Sequence, residues 1–289
     1  MEENRKIIRT GKEAVLTRNY LGDMEYLTFP SLSSIGLVDH LFTTRLGGIS
    51  KGIYATMNMS FSRGDEREAV LENYRRVSDI LNCELQDFVL SHQTHTTNIR
   101  KVTKADAGKG IVKERDYENV DGLITNVPGI VLVTFYADCV PLYFVDPVHK
   151  AIGLSHSGWR GTVLKMGEVT INHMHEAYGS EPGDIIVAIG PSICQSCYEV
   201  STDVIKQFCG IFPNRETQQK VFYKKENGRY QLNLWEANRM ILIAAGIQEK
   251  NISLTDICTC CNNEYLFSHR ASQEKRGNLA AFLRIKPVI

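Results

Sequence analysis

Cys139 follows one apolar run and His156 another, while His95 closes the polar stretch Ser91-His92-Gln93-Thr94-His95 behind Phe88-Val89-Leu90. These residues would supply two imidazole nitrogens and one soft sulfur to a catalytic zinc, which usually takes three protein ligands and keeps its fourth position for water or substrate. Taken singly, a cysteine after a strand reads as a small buried hydrophobe, and a lone histidine as a satisfied core residue. The combination is what carries the metal reading. Arg160, after Gly158-Trp159, stands where a helix is expected to start, so its guanidinium and the free N–H groups at Gly161 are candidates to hold a phosphate. The plainer alternative packs the Arg160 stem on Trp159. Arg45, beside Gly47-Gly48, is a second candidate anion ligand.

Ligands so far apart in sequence must be brought together by strands. The runs 130–135, 142–145 and 151–154 are almost continuously apolar, as in strands covered on both faces, and the short turn at Asp146-Pro147 predicts that the last two pair antiparallel. Further strands are expected at 25–28, 39–44, 88–90, 98–102, 184–189, near Ile252 and at 280–285. Helical spacing predicts a helix over 65–81 with Asp65 as N-cap and Glu68 three residues on. One continuous helix is expected over 161–178, stopped by Gly179, another over 201–208, and one over 234–245 capped by Asn233 with Glu236. Strands and helices mixed at this density predict a layered α/β domain around central mixed sheet.

The 289 residues suit one elaborated domain, 1–289, with the first 20 or so peripheral to it. Lys+Arg and Asp+Glu both number 33, so no global field draws in nucleic acid or an anionic membrane, and an anionic ligand must be held by local groups. The start, Met-Glu-Glu-Asn-Arg-Lys, is polar, and no apolar run has the length of a membrane span, which makes the cytoplasm the expected location. Eight cysteines, spread along a chain with a sizeable core, read as reduced thiols. Cys194 and Cys197 form a Cys-x-x-Cys, but Cys258, Cys260 and Cys261 are spaced two and then one, which suits a zinc knuckle poorly; ordinary buried thiols are expected there.

Seven pieces occur in order: Phe42 to Ser50, His92 to His95, Asp121-Gly122-Leu123, Ala137 to Pro141, His156 to Gly161, Ile189 to Ile193 and Phe267 to Arg270. Together they resemble the YfiH/YlmD family, also called the laccase-domain or polyphenol-oxidase-like family, and its bacterial YlmD branch in particular. The resemblance implies a layered α/β/β/α fold and a metal site of His95, Cys139 and His156, with His92 beside it as a supporting or substrate-contacting group. It implies zinc-dependent phosphorolysis of purine nucleosides (adenosine, inosine, guanosine, methylthioadenosine), with adenosine deamination as companion reaction. Ser157, His269 and Gly277-Asn278 depart from the family's usual alanine, tyrosine and Gly-Arg.

On this reading the ligands are a purine nucleoside, phosphate and Zn2+, with Cu2+ as the other candidate metal, in a monomer or weak homo-oligomer. Arg160 and the Gly161 helix start share the anion's charge, Arg45 or Asn58 contacts the substrate, and His92, Asp138 or Tyr198 moves the proton. Competing readings make Cys139 the nucleophile of an amide hydrolase editing peptidoglycan precursors, or place copper in a polyphenol oxidase. The latter has one His-x-His pair to draw on, His173 and His175. A non-enzymatic reading is a zinc-stabilised binding module.

Overall fold

Alternate residues of the strand Leu279–Ile285 enter two different cores: Leu279, Ala281, Leu283 and Ile285 join one, Ala280 and Phe282 another. A pleated strand sends successive side chains to opposite faces, so a strand with apolar residues buried on both faces lies inside a stack of layers. The computed structural model of the chain, which describes residues 6–11 and 13–287, shows what those layers are.

In chain order, a hairpin of β1 (Thr17–Leu21) and β2 (Met24–Thr28) leads through α1 (Pro30–Ser33) to β3 (Val38–Thr43), and α2 (Arg67–Leu81) follows a long loop. Next come β4 (Phe88–Leu90), β5 (Ile99–Lys101), β6 (Gly122–Thr125), β7 (Val131–Tyr136), β8 (Val140–Asp146) and β9 (Ala151–Ser157). The chain continues with α3 (Trp159–Val163), α4 (Met166–Tyr178), β10 (Ile186–Ile189), β11 (Glu199–Val200), α5 (Thr202–Ile211) and α6 (Arg215–Val221). It ends with β12 (Phe222–Lys224), β13 (Tyr230–Leu232), α7 (Leu234–Ala244), β14 (Ile252–Leu254), α8 (His269–Ser272) and β15 (Leu279–Ile285).

Two six-stranded mixed sheets, β1-β2-β3-β15-β7-β4 and β14-β10-β8-β9-β6-β5, hold most of these strands, and β11-β13-β12 form a small third sheet. Leu132, Leu283 and Phe42 of the first large sheet share the central core with Tyr143, Ile152 and Leu154 of the second. On the outer face of the first sheet, Phe88, Val131 and Phe282 pack on Val70, Tyr74 and Val77 of α2. On the outer face of the second, Leu142, Phe144 and Val187 pack on Ile171 and Met174 of α4, Phe208 of α5 and Leu242 of α7. The architecture is therefore α/β/β/α.

Two local expectations are corrected. Helix α2 begins at Arg67, not Asp65, because the Asp65 carboxylate accepts from the Glu66 N–H at 2.9 Å and from Asn58 Nδ2 at 3.0 Å instead of capping a helix. The helix expected over 161–178 is two, broken where Lys165 turns left-handed at φ 57°. Val163 packs against the same core as Ile171 and Met174, so the apolar period runs on across a backbone that does not. Near the amino end, β1 is an edge strand, Leu16 enters the central core and Arg9 pairs with Asp256. The polar start falls largely on residues 1–5, outside the described residues. No helix among the described residues is long and apolar enough to cross a membrane.

Candidate active site

Strands β8 and β9 pair antiparallel with Pro141 opposite His156, which sets Cys139, one residue ahead of β8, beside the His156 end of β9. His95 arrives from the loop between β4 and β5, with its backbone in the left-handed region at φ 66°. Two anchors hold that loop. The Gln93 side chain mimics a strand partner, donating to Phe135 O at 2.8 Å and accepting from Phe135 N at 2.6 Å. The buried Asp121 carboxylate accepts from the N–H groups of Thr94, His95 and Thr96, each at 3.0 Å.

The result is a cluster in which one ligand atom each from His95, Cys139 and His156 lies within 4.8 Å of the others, with His95 Nε2 4.0 Å from Cys139 Sγ. Asp121 Oδ1 also meets His156 Nδ1 at 2.9 Å, fixing the ring and leaving its Nε2 for the cluster. Among the described residues no fourth His, Cys, Asp or Glu donor completes the group. Two imidazoles and a thiolate, one imidazole braced by a carboxylate, fit a borderline-soft divalent metal.

Electrostatics point the same way. Burial alone would raise the Cys139 thiol, but the charge and hydrogen bonding of His156, with His95 adding to them, bring it down to about 6. Burial would lower His156, yet the Cys139 thiolate and Asp121 raise it to about 9. Asp121 is pushed up by burial and more than compensated by His156 and the backbone N–H groups, which hold it at about 2. Gly158 leaves room for the cluster: a Cβ there would stand 3.0 Å from Cys139 Sγ and 3.1 Å from His95 Cδ2.

A cleft of about 350 Å³ opens over the three ligands, lined also by His92, Phe61, Tyr136 and three arginines, Arg63, Arg115 and Arg276. The arginines come from separate loops, and no spacing in the sequence groups them. Arg276 is the most enclosed of them: it donates to Gly277 O at 3.1 Å and to Asn278 Oδ1, while its buried Nε has no partner. Burial and the charge of Arg63 lower it to about 10, so it remains a cation at neutral pH.

The other residues singled out in the sequence divide. His92 lines the cleft, and its Nδ1 accepts from Asn119 N at 3.1 Å. Arg160 is exposed, lies outside the cleft lining and stacks 4.4 Å over the Trp159 ring. The helix it belongs to, α3, is five residues long. Arg45 faces another depression, donating to Ala55 O and Asn263 O over the Phe267 ring. Asn58 is fully buried and shapes the cleft from behind, accepting from the N–H groups of Ser60 and Asn278, both of which line it. Asp138 spends both carboxylate oxygens on Thr259 Oγ1, at 2.6 Å, and Arg270 N, at 2.7 Å, and thereby fixes the turn into Cys139 at φ 94°. Tyr198 is held up by burial and packs beneath Arg270. His173 and His175 sit on α4, apart from any donor cluster among the described residues. The expectation of ordinary, separate thiols at the remaining cysteines is corrected too: the sulfurs of Cys194, Cys197, Cys258 and Cys261 converge. Cys258 and Cys261 are themselves a Cys-x-x-Cys, hidden in the sequence by the intervening Cys260.

A profile of the family described as multi-copper polyphenol oxidoreductase laccase matches residues 39–286. The chain is similar to purine nucleoside phosphorylase YlmD of Bacillus subtilis (strain 168), 35% identical over 249 residues that cover 85% of this chain and 87% of that protein. It is also similar to adenosine deaminase RL5 of an unknown prokaryotic organism, 32% identical over 249 residues covering 86% and 93% of the two chains. Among solved structures it superposes on the hypothetical protein YfiH of Bacillus licheniformis with a TM-score of 0.86 at 34% identity, covering 93% of this chain and 99% of that one.

Proposed function

The chain is an enzyme of the multi-copper polyphenol oxidoreductase laccase family, and on that premise we propose that it is a zinc-dependent purine nucleoside phosphorylase with adenosine deamination as its companion reaction. The observation that carries the reading is the convergence of His95, Cys139 and His156 at the floor of a cleft whose cations are Arg63, Arg115 and Arg276.

Phosphorolysis brings a phosphate oxygen to the anomeric carbon of the ribose while the bond from that carbon to the purine nitrogen breaks. The electron pair leaves with the base, which departs more readily when a ring nitrogen is protonated. Both demands have matching groups. The three guanidiniums hold a dianion and lower its desolvation cost. His92, whose Nδ1 accepts from Asn119 N, carries its proton on Nε2 and is the group we assign to hydrogen-bond a ring nitrogen of the leaving base, the proton that the base takes up coming from solvent. Phe61 and Tyr136 supply apolar walls for a purine. His95, Cys139 and His156 would hold the zinc, which supplies Lewis acidity toward an oxygen or lowers the pKa of a water.

The test combines metal analysis with a phosphate-dependent assay on adenosine, inosine, guanosine and methylthioadenosine. Cys139→Ala is expected to lose the metal of this cluster and at least ~100-fold in phosphorolysis. Activity retained by that variant would refute the proposal. A thiolate near neutrality between two histidines also suits a cysteine hydrolase. That second reading requires a trappable acyl adduct on Cys139 in metal-free protein, and zinc ligation requires that metal shield the thiol.

A further inference from the structure

A second donor cluster lies outside the cleft. The sulfurs of Cys194, Cys197, Cys258 and Cys261 all lie within 4.8 Å of one another, with Cys197 and Cys261 3.4 Å apart and Cys194 and Cys261 3.9 Å apart. Zinc bound tetrahedrally by four thiolates at about 2.3 Å places its sulfurs about 3.8 Å from each other, whereas a disulfide needs about 2.05 Å. The spacing matches the first and not the second. We propose that these four cysteines form a closed structural zinc site.

The backbone around the sulfurs is built for thiolates. Cys258 Sγ accepts two N–H groups, from Cys194 at 3.2 Å and from Cys261 at 3.4 Å, the second closing the loop of its own Cys-x-x-Cys. Ser196 Oγ lies 3.1 Å from Cys194 Sγ, a third polar contact on the cluster. Such contacts spread a thiolate's charge and orient it, the part that surrounding hydrogen bonds play at metal sites. Arg270 adds a cation nearby, donating to Cys197 O at 3.2 Å and Glu199 O at 3.0 Å. Cys260 stands outside the group.

The place in the fold gives the site its purpose. Strands β10 and β14 run parallel, and the loops that leave them, 190–198 and 255–268, are joined by a backbone bridge between Ser192 and Cys258. These loops reach the active site: Ile193 N donates to Asp138 O at 3.0 Å, Thr259 donates to the Asp138 carboxylate, and Asp138 precedes Cys139. A zinc held by two cysteines from each loop fastens the wall on which the catalytic thiolate is mounted.

The full-length Cys139→Ala protein, which lacks a ligand of the cleft cluster, isolates this second site. It is expected to retain a single zinc through dialysis. Replaced by cobalt, that metal should show the sulfur-to-metal charge transfer and intense visible bands of a tetrahedral thiolate complex. Adding Cys261→Ser should abolish those bands. A Cys139→Ala protein with native circular dichroism that binds no metal would overturn the proposal, as would cobalt bands that survive Cys261→Ser. Where the double variant does not fold, peptide-resolved alkylation of the zinc-loaded single variant decides. The four thiols should be shielded until a strong chelator is added, and labelling without it, or a Cys197–Cys261 disulfide in freshly reduced protein, would refute the site.

Discussion

Asp121 assembles the active-site cluster: one buried carboxylate orders the His95 loop through three backbone N–H groups and the Thr96 hydroxyl, and turns the His156 ring through Nδ1. Its partners lie between 25 and 35 positions away, so no local pattern announces it, and only its place in the resembling Asp-Gly-Leu piece drew notice. An Asp121→Asn change keeps the shape but puts an NH2 where the loop or the imidazole needs an acceptor. Metal affinity should fall about 10–100-fold, the usual effect of removing such a support, read by competition against a chelator of known strength. An unchanged affinity would mean that the metal-binding geometry is set by the strands alone. Sequence reasoning reached the three cluster residues because their types are chemically distinctive. It passed over Arg63, Arg115 and Arg276, because an arginine in a loop looks the same whether it faces solvent or a cleft.

At the scale of elements, the junction of β9 and α3 shows how chain direction and site are coupled. Gly158 is extended, at φ −75° and ψ −177°, so any residue fits its backbone; the constraint is the Cys139 sulfur and His95 ring against it. Gly158→Ala should therefore leave the unfolding free energy within about 1 kcal/mol of the parent while weakening metal binding about tenfold, because the ligands must retreat by a few tenths of an ångström. Equal losses in both would point to a general packing defect. Strands β7, β8, β9 and β15 were legible because burial on both faces writes an apolar run into the sequence. The break between α3 and α4 was not, since periodicity records which face is covered and Lys165 interrupts only the winding. Strand β6 was missed as a strand because it begins with Gly122, a residue that reads as a turn in sequence but is required here because a side chain would collide with Ile99 and Ser155. The pairing of two Cys-x-x-Cys elements was missed because Cys260 disguised the second, and their contact depends on β10 and β14 lying side by side.

For the whole molecule, the interface between the two large sheets contains a titratable group. His40 of β3 is 6% exposed, accepts from Phe29 N through Nε2 at 2.8 Å, and packs its ring 6.1 Å from Tyr143 of the other sheet, whose hydroxyl donates to Leu41 O. Burial lowers His40 from an ordinary value near 6.5 to about 4. Between those values the unfolded chain binds a proton that the folded chain refuses, so stability is intact above pH 6.5 and is lost as pH falls toward 4. The difference corresponds to about 3 kcal/mol at full expression, a large part of a typical domain's stability. Urea midpoints from pH 7.5 to 4.5 should show the decline for the parent chain, with the slope m unchanged. The His40→Gln chain, whose amide oxygen can still accept from Phe29, should be less stable at neutral pH and flatter between about pH 6.5 and 4.5, while the carboxylates titrate alike in both chains. Parallel profiles for the two proteins would show that the sandwich tolerates a charged imidazole at its centre and that acid acts on it elsewhere.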